Sequence, residues 1–368
     1  MDDTVKLDCR FFLGDRPCVQ GGPCAGCGHY SPMGARILVI KLAAAGDVLR
    51  ATSVLPPLKR KYPDSHVTWV ADAGALPLVE GNPYVDRALP MTFESWLVVS
   101  RESFDVGLCL DKEPRAAALL ASVDAASRIG FGLSRWGTIE PLNEGARYDF
   151  ALGLSNEMKF RENEKTCPEI FCEIAELPYA GDPYSLFLSE DSVRRARAWL
   201  ETLGPSEPLV GLNVGAGGVF ANKAWTARGY AELARRIAGE LGGTAVVLGG
   251  PDDREKALAV LELAGGSAVD GGTHPLLDFA GLVGLMDAVV TGDTLAMHVA
   301  IALEVPVVVL LGPTVPQEIA VYGAGRILVS DADCAPCYAR RCDVTPSCME
   351  LIGSDDVVRA LREVLTQQ

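Results

Sequence analysis

The sequence predicts an α/β protein of two doubly wound, parallel-sheet domains facing a cleft, and three observations carry that expectation. Short apolar runs rich in β-branched residues alternate with amphipathic stretches, the rhythm of parallel strands joined by right-handed crossover helices. The runs are apolar throughout, as strands covered by helices on both faces must be. The rhythm lapses between Leu177 and Pro208, where Pro- and Gly-containing segments flank one charged helix and read as a linker. With 368 residues, 49% of them hydrophobic, there is apolar material for a core on either side of that break.

Residues 1–33 form a cysteine-rich arm ahead of the first strand. The first domain, 34–180, opens on R-I-L-V-I-K-L-A-A-A-G-D-V-L-R from Arg36 to Arg50, a strand, a break of small residues and a helix start. Asp47 stands at this strand-to-helix turn. Ligands of open α/β sheets bind outside the carboxyl ends of the strands, which makes Asp47 a candidate for chemistry; Asp is also a favoured helix cap. The helix carries Val48, Leu49, Thr52 and Leu55 at helical spacing and meets Pro56-Pro57, where it must kink or restart. Lys59, Arg60 and Lys61 close the segment, as a dipole complement or toward an anionic acceptor. Further strands are expected from His66 to Ala71, Phe104 to Leu110 and Ser127 to Phe131, with a helix from Arg115 to Val123.

After the linker (181–207), whose helix is expected from Asp191 to Leu203, the second domain (208–352) repeats the pattern. Strands are read from Leu209 to Val214, Thr244 to Leu248, Ala288 to Thr291 and Val305 to Leu311. Helices are read from Thr226 to Leu241, Asp252 to Leu263 and after Asp293. A last helix, Asp355 to Leu365, fills 353–368.

Three turns of this second domain look built for a ligand. In N-V-G-A-G-G-V-F-A-N-K-A-W, from Asn213 to Trp225, Gly215 and its neighbours allow close backbone approach to a phosphate and Lys223 offers a point charge. A flexible surface loop is the plain alternative. G-G-P-D-D-R-E, from Gly249, ends on Glu255, which could accept from ribose hydroxyls or simply complement a helix dipole. In T-G-D-T-L-A-M-H, from Thr291, Asp293 and Thr294 begin a helix whose free amides favour an anion, and His298 either joins the site or packs on the sheet. None of the three matches G-x-G-x-x-G or the Walker loop, so dinucleotide binding and NTP hydrolysis lack motif support.

The net charge of −15 argues against nucleic acid as a partner, since phosphate neutralisation needs clustered Lys and Arg. No stretch reads as a leader or a membrane span, and the expected location is cytoplasmic. Of 11 cysteines, eight fall in two clusters: Cys9, Cys18, Cys24 and Cys27 in the arm, and Cys334, Cys337, Cys342 and Cys348 in the loop 334–348. Each cluster holds one C-x2-C pair, the spacing that aims two thiolates at one metal. Structural zinc is the first reading and an iron–sulfur cluster the alternative; reduced, unliganded thiols or disulfides are the plain one, disulfides being disfavoured where no secretion signal is read. Cys109, Cys167 and Cys172 sit in apolar contexts and read as core.

Ordered landmarks from about residue 36 to 323 resemble glycosyltransferase family 9, whose best-known members are bacterial heptosyltransferases. They are I-L-V-I-K-L-A-A-A-G-D-V-L-R-A-T, E-G-N-P-Y-V-D-R from Glu80, N-V-G-A-G-G with K-A-W, L-G-G-P-D-D-R-E, and G-D-T-L-A-M-H-V-A-I-A-L-E-V-P-V-V-V-L-L-G-P-T with Tyr322-Gly323. The resemblance implies a GT-B fold with an acceptor-binding first domain and a donor-binding second domain. It implies inverting transfer of a heptose or related sugar from an ADP-sugar to a lipopolysaccharide-core or glycolipid acceptor, without a catalytic metal. Peripheral contact with the inner membrane goes with such an acceptor. Asp47 matches the general base. Asn213, Gly215, Lys223, Glu255, Asp293, Thr294 and His298 match donor contacts. Leu295 stands where many members have glycine, which implies altered donor geometry. Two other readings remain at this point, a sugar-nucleotide epimerase and a non-catalytic metal-binding scaffold.

Overall fold

The computed structural model describes residues 5–14, 18–217 and 221–366. Parts of the N-terminal arm and the middle of the turn after Asn213 lie outside them. The chain forms two compact units: one takes in residues up to Ala43 with Ser53–Phe150 and Phe171–Asp182, the other Ala44–Thr52, Ala151–Ile170 and the chain from Pro183 onward.

In the first unit, β1 (Arg36–Ile40) buries Ile37, Leu38, Val39 and Ile40 completely. Each such side chain contributes about 1.5–3 kcal/mol. The chain then lends α1 (Ala45–Ala51) to the second unit and restarts as α2 (Leu55–Lys61) after a 3-10 turn at Thr52–Val54. The restart falls where Pro56 and Pro57 occupy the first helical turn, a place where a missing N–H leaves no bond unmade. There follow β2 (His66–Ala71), β3 (Arg87–Pro90), α3 (Phe93–Val99), β4 (Ser103–Cys109), α4 (Pro114–Ser122), β5 (Asp124–Leu133) and β6 (Ile139–Pro141). Their sheet order is β3-β2-β1-β4-β5-β6. Every pairing is parallel except β5 with β6. At Gly130 a Cβ would lie 1.9 Å from the Cys109 carbonyl oxygen, so only glycine allows β5 to run this close to β4.

The helices α5 (Glu144–Leu154) and α6 (Cys167–Ile174) carry the chain between units. The second unit then runs α7 (Glu190–Thr202), β7 (Leu209–Asn213), α8 (Ala227–Arg236), β8 (Thr244–Leu248), α9 (Arg254–Ala264), β9 (Ala268–Asp270), α10 (Leu276–Val283), β10 (Ala288–Gly292), α11 (Leu295–Ala302), β11 (Val307–Leu311), β12 (Gly325–Val329) and α12 (Ser354–Leu365). Its sheet, β12-β11-β10-β7-β8-β9, is wholly parallel. Ser189 and Thr226 cap α7 and α8 with their hydroxyls. Trp225 and Tyr230 are buried in a core with Leu212, Val290, Val308 and Leu361. The Tyr230 hydroxyl donates to the Asn213 carbonyl at 2.6 Å, which fixes the end of β7 from below.

Both sheets therefore have the doubly wound order, with the strand direction of growth reversing between β1 and β4 and between β7 and β10. Ligands of such sheets bind at these switch points, outside the carboxyl ends of the strands. Several expected boundaries move by a residue or more; the helix expected from Thr226 to Leu241, for example, is α-helical only to Arg236, and the strand expected from Val305 begins at Val307. The strand expected from Ser127 to Phe131 is the ten-residue β5, and α9 begins at Arg254 because Pro251–Asp253 forms a 3-10 turn. Among the described residues, no helix is long and apolar enough to cross a membrane.

Candidate functional site

At the switch point of the second sheet, Asn213 ends β7 with its side chain buried. Its amide nitrogen donates to the Gly215 carbonyl (3.2 Å), to the Thr291 hydroxyl (3.0 Å) and to the Thr294 hydroxyl (3.1 Å). One side chain thus ties the turns after β7 and β10 together. Thr294 is the N-cap residue of α11, yet its hydroxyl is taken up by Asn213 and Thr291 and makes no cap bond. The N-cap side chain therefore does not take up the first-turn amides of α11, and a helix start of this kind favours an anion.

In front of them lies a cavity of about 480 Å³, lined by the backbone of Gly215 to Gly217, by Gly249 and Gly250, and by Asp253, Phe279 and Leu295. That volume suits a nucleotide-sized ligand. Asp253 is the carboxylate here: it accepts from the Gly250 amide at 2.9 Å, and a Cβ on Gly215 would fall 2.4 Å from its oxygen. Glu255, two residues on, is exposed and does not line the cavity. Leu295 does, so its side chain occupies the wall where glycine would have left bare backbone.

Beside the cavity stands a charged group. Lys223 Nζ lies 2.7 Å from Asp293 Oδ2, and His298 Nε2 lies 4.0 Å from Asp293 Oδ1. Burial alone would raise the Asp293 carboxyl, but the Lys223 and Arg50 charges outweigh it and hold the group below the usual carboxylate range. His298 goes the other way. Burial first, then the Arg50 charge, pushes the imidazole down to about 3, so it is neutral at physiological pH and bonds to the Tyr184 hydroxyl through Nδ1 at 3.2 Å.

The helix α1 brings the last part. Its N-cap is Ala44, without a side-chain bond, and Asp47 lies within the first turn rather than at the cap. Asp47 is therefore not the N-cap residue, because the helix begins earlier, in the run of small residues. Asp47 keeps 39% of its side chain exposed and receives a 2.5 Å bond from Arg50 one turn on. Burial would lower the Arg50 guanidinium, but Cys167, Asp47, Asp293 and Glu318 together raise it well above its ordinary value. Arg50 thereby links the Asp47 and Asp293 carboxylates electrostatically. At Gly46 a Cβ would sit 2.7 Å from His298 Cδ2, so glycine is what lets α1 approach α11 this closely.

Of the residues expected from sequence, Asp47, Asn213, Gly215, Lys223, Asp293, Thr294 and His298 are brought together in one unit; Glu255 stands outside the cavity wall. Arg50, Asp253, Gly46 and Tyr184 were not singled out by the motifs. Asp253 lies in view within G-G-P-D-D-R-E, whereas the action of Asp293 and Glu318 on Arg50 and the bond of Tyr184 to His298 join residues distant in sequence.

The cysteines are not joined by disulfides among the described residues. Cys9 is buried and Cys18, Cys24 and Cys27 half-buried, while Cys334, Cys337 and Cys342 are exposed and Cys348 is buried. Burial, then the neighbouring Cys337, Cys342 and Cys334, push the Cys348 thiol up. As they stand, among the described residues no three Cys, His, Asp or Glu side chains converge tightly enough to hold a metal ion. Cys109 behaves as core, its thiol pushed up to about 12 by burial.

A family model, glycosyltransferase family 9 (heptosyltransferase), matches residues 96–347. Lipopolysaccharide heptosyltransferase 1 of Pseudomonas aeruginosa is 27% identical over 341 residues, covering 85% of this chain and 88% of its own. Among solved structures, a family 9 glycosyltransferase from Veillonella parvula superposes with a TM-score of 0.72 at 21% identity, covering 91% of this chain and 98% of its own. ADP-heptose lipopolysaccharide heptosyltransferase II of E. coli does so with a TM-score of 0.66 at 22% identity, covering 90% and 99%. These structures share the GT-B fold with the two six-stranded sheets described above. With the family model spanning well over half the chain, the protein belongs to glycosyltransferase family 9, the heptosyltransferases.

Proposed function

We propose that this glycosyltransferase moves a heptose, with inversion at the anomeric carbon, from ADP-heptose to a hydroxyl of a lipopolysaccharide-core or similar glycolipid acceptor. The observation that carries the reading is the juxtaposition of a half-exposed Asp47 carboxylate with the Lys223–Asp293 pair and the open amides of α11. The names of the relatives, lipopolysaccharide heptosyltransferase 1 and ADP-heptose heptosyltransferase II, support the sugar, donor and acceptor class.

In this scheme the acceptor oxygen attacks C1 from one face as the C1–O bond to the diphosphate breaks on the other, through an oxocarbenium-like transition state. Asp47 takes the proton of the attacking hydroxyl, and Arg50, bonded to it, holds the carboxylate in line. The leaving diphosphate gathers negative charge. Lys223 and the α11 amides stabilise it, which is the electrostatic work a divalent cation performs elsewhere, and we propose that the transfer needs none. Asn213 and the glycines of 215–217 and 249–250 hold the nucleotide in the cavity, with Leu295 shaping its fit. A lipid-borne acceptor sets the reaction at the cytoplasmic face of the inner membrane, reached peripherally.

The test is release of ADP from ADP-heptose with and without a heptose-free core acceptor, in buffer containing a chelator. Acceptor-dependent release that survives chelation supports the reading. Release without acceptor, or release from UDP- or GDP-sugars alone, overturns the donor and reaction assignment.

A further inference from the structure

The described residues between 10 and 31 lie beyond a base that closes on itself. Cys9 pairs with Pro32 in an antiparallel bridge, the Arg10 amide donates to the Ser31 carbonyl (2.9 Å) and the Met33 amide to the Asp8 carbonyl (2.7 Å). Arg10 anchors that base to the first unit through Asp86 and the Asp64 carbonyl. Beyond the base, the described residues of the loop form turns, bends and irregular backbone, without helix or strand. Loops of this length without secondary structure are uncommon in compact proteins, and a segment this small needs a cross-link to hold a shape. Apolar burial does not supply one. Among the described residues of the arm, Cys9 is the buried hydrophobic side chain, whereas Val5, Leu7, Leu13, Val19 and Tyr30 are exposed.

What the loop does enclose is a cavity of about 20 Å³, and Cys9, Cys18, Cys24, Cys27 and His29 line it. The space is atom-sized, too small for an organic ligand. The C-x2-C turn already shows a feature of a metal-binding knuckle: the His29 amide donates to Cys27 Sγ at 3.4 Å, a bond that strengthens once the sulfur is a thiolate. No disulfide ties any of the four cysteines.

We propose that Cys9, Cys18, Cys24 and Cys27 bind one zinc ion in tetrahedral geometry, and that this site is the cross-link that fixes the N-terminal arm on the first unit. Zinc binding displaces a proton from each of the four thiols and forms four Zn–S bonds. The sulfurs draw in on the cavity as it does so, since as the arm stands no three ligands meet at coordinating distance among the described residues. A turn-built loop without its own core accommodates that movement. Four thiolates leave no open coordination position, so the site is structural.

The experiment measures zinc per chain by elemental mass spectrometry on protein purified under reducing conditions, for wild type, Cys24→Ser/Cys27→Ser and, to separate the C-terminal loop, Cys334→Ser/Cys337→Ser. The proposal predicts that the arm variant loses one zinc equivalent relative to wild type, and that the C-terminal variant keeps the arm equivalent. Equal zinc in wild type and arm variant overturns it. A second measurement uses the unsubstituted protein, in case the arm variant misfolds: iodoacetamide labelling with peptide mapping, with and without added zinc. Protection of Cys9, Cys18, Cys24 and Cys27 as a set by zinc is the expected result. Full labelling in the presence of zinc, or a disulfide found within the arm, overturns the proposal.

Discussion

Replacing Gly46 with alanine tests the closest approach in the site. The added Cβ would sit 2.7 Å from His298 Cδ2 and 3.4 Å from its Nε2. The imidazole cannot step aside freely: it is buried, bonded to the Tyr184 hydroxyl at 3.2 Å and packed edge-on against that ring at 5.9 Å. The helix α1 must therefore shift, taking Asp47 with it. Overpacking of this kind costs about 1–3 kcal/mol, against which alanine gains up to ~1 kcal/mol of helix propensity over glycine. The expected net loss is about 1–2 kcal/mol, seen as a drop of a few degrees in the unfolding midpoint, together with a fall in kcat larger than any change in donor affinity. The decisive comparison is a double-mutant cycle with His298→Ala. With the imidazole gone, Gly46→Ala should become neutral or stabilising. If the single variant is as stable as wild type, or if His298→Ala does not relieve it, the account of α1 and α11 in contact through Gly46 is wrong.

Two further outcomes follow from the charged group. Lys223→Met should weaken ADP binding at least tenfold and destabilise the protein by about 3 kcal/mol, because it leaves the buried Asp293 without its cation; ADP titration by calorimetry and urea unfolding measure the two effects, and unchanged ADP affinity would remove Lys223 from the donor site. The pH dependence has a definite sign. His298 has a folded value near 3 against an ordinary value near 6.5, so between these the unfolded chain binds the extra proton and stability is lost as pH falls. From pH 7.5 to 5, urea unfolding should show a loss of up to ~2 kcal/mol that is absent in His298→Gln. His66, lowered chiefly by burial, adds a slope of the same sign, and the variant isolates the His298 part. A slope identical in wild type and variant would contradict the neutral, buried imidazole.

The strands that carry the site were legible because parallel strands buried on both faces leave apolar runs: R-I-L-V-I in β1, L-V-G-L-N in β7, A-V-V-T-G in β10. Edge strands are another matter. β3 (R-A-L-P), β6 (I-E-P) and β9 (A-V-D) are short and contain proline or charge, so their strand identity comes from the neighbour they pair with. At the site, residues that chain geometry alone places after a strand, such as Asp47 and Asp293, could be found by motif. The choice between Asp253 and Glu255 could not, because it turns on where α9 starts: the 3-10 turn Pro251–Asp253 aims Asp253 at the Gly250 amide and leaves Glu255 on the exposed side. Arg50 reads in sequence as one more helical basic residue. Its bond to Asp47 is an ordinary pairing one helical turn apart, but the charges of Asp293, Glu318 and Cys167 that also act on it come from elsewhere in the chain, and no local pattern encodes them.

The central claim is that Asp47 takes the proton of the acceptor hydroxyl while the groups around Asp293 hold the donor. The most direct measurement is a single-turnover transfer from ADP-heptose to a heptose-free core acceptor by Asp47→Asn, paired with ADP-heptose affinity by calorimetry. The substitution keeps the shape and one hydrogen-bond acceptor for Arg50 but removes the base. The account predicts that transfer falls by 10²-fold or more, the usual worth of a positioned base, with donor affinity within about threefold of wild type. Transfer at the wild-type rate, or a loss explained by donor affinity alone, would contradict it.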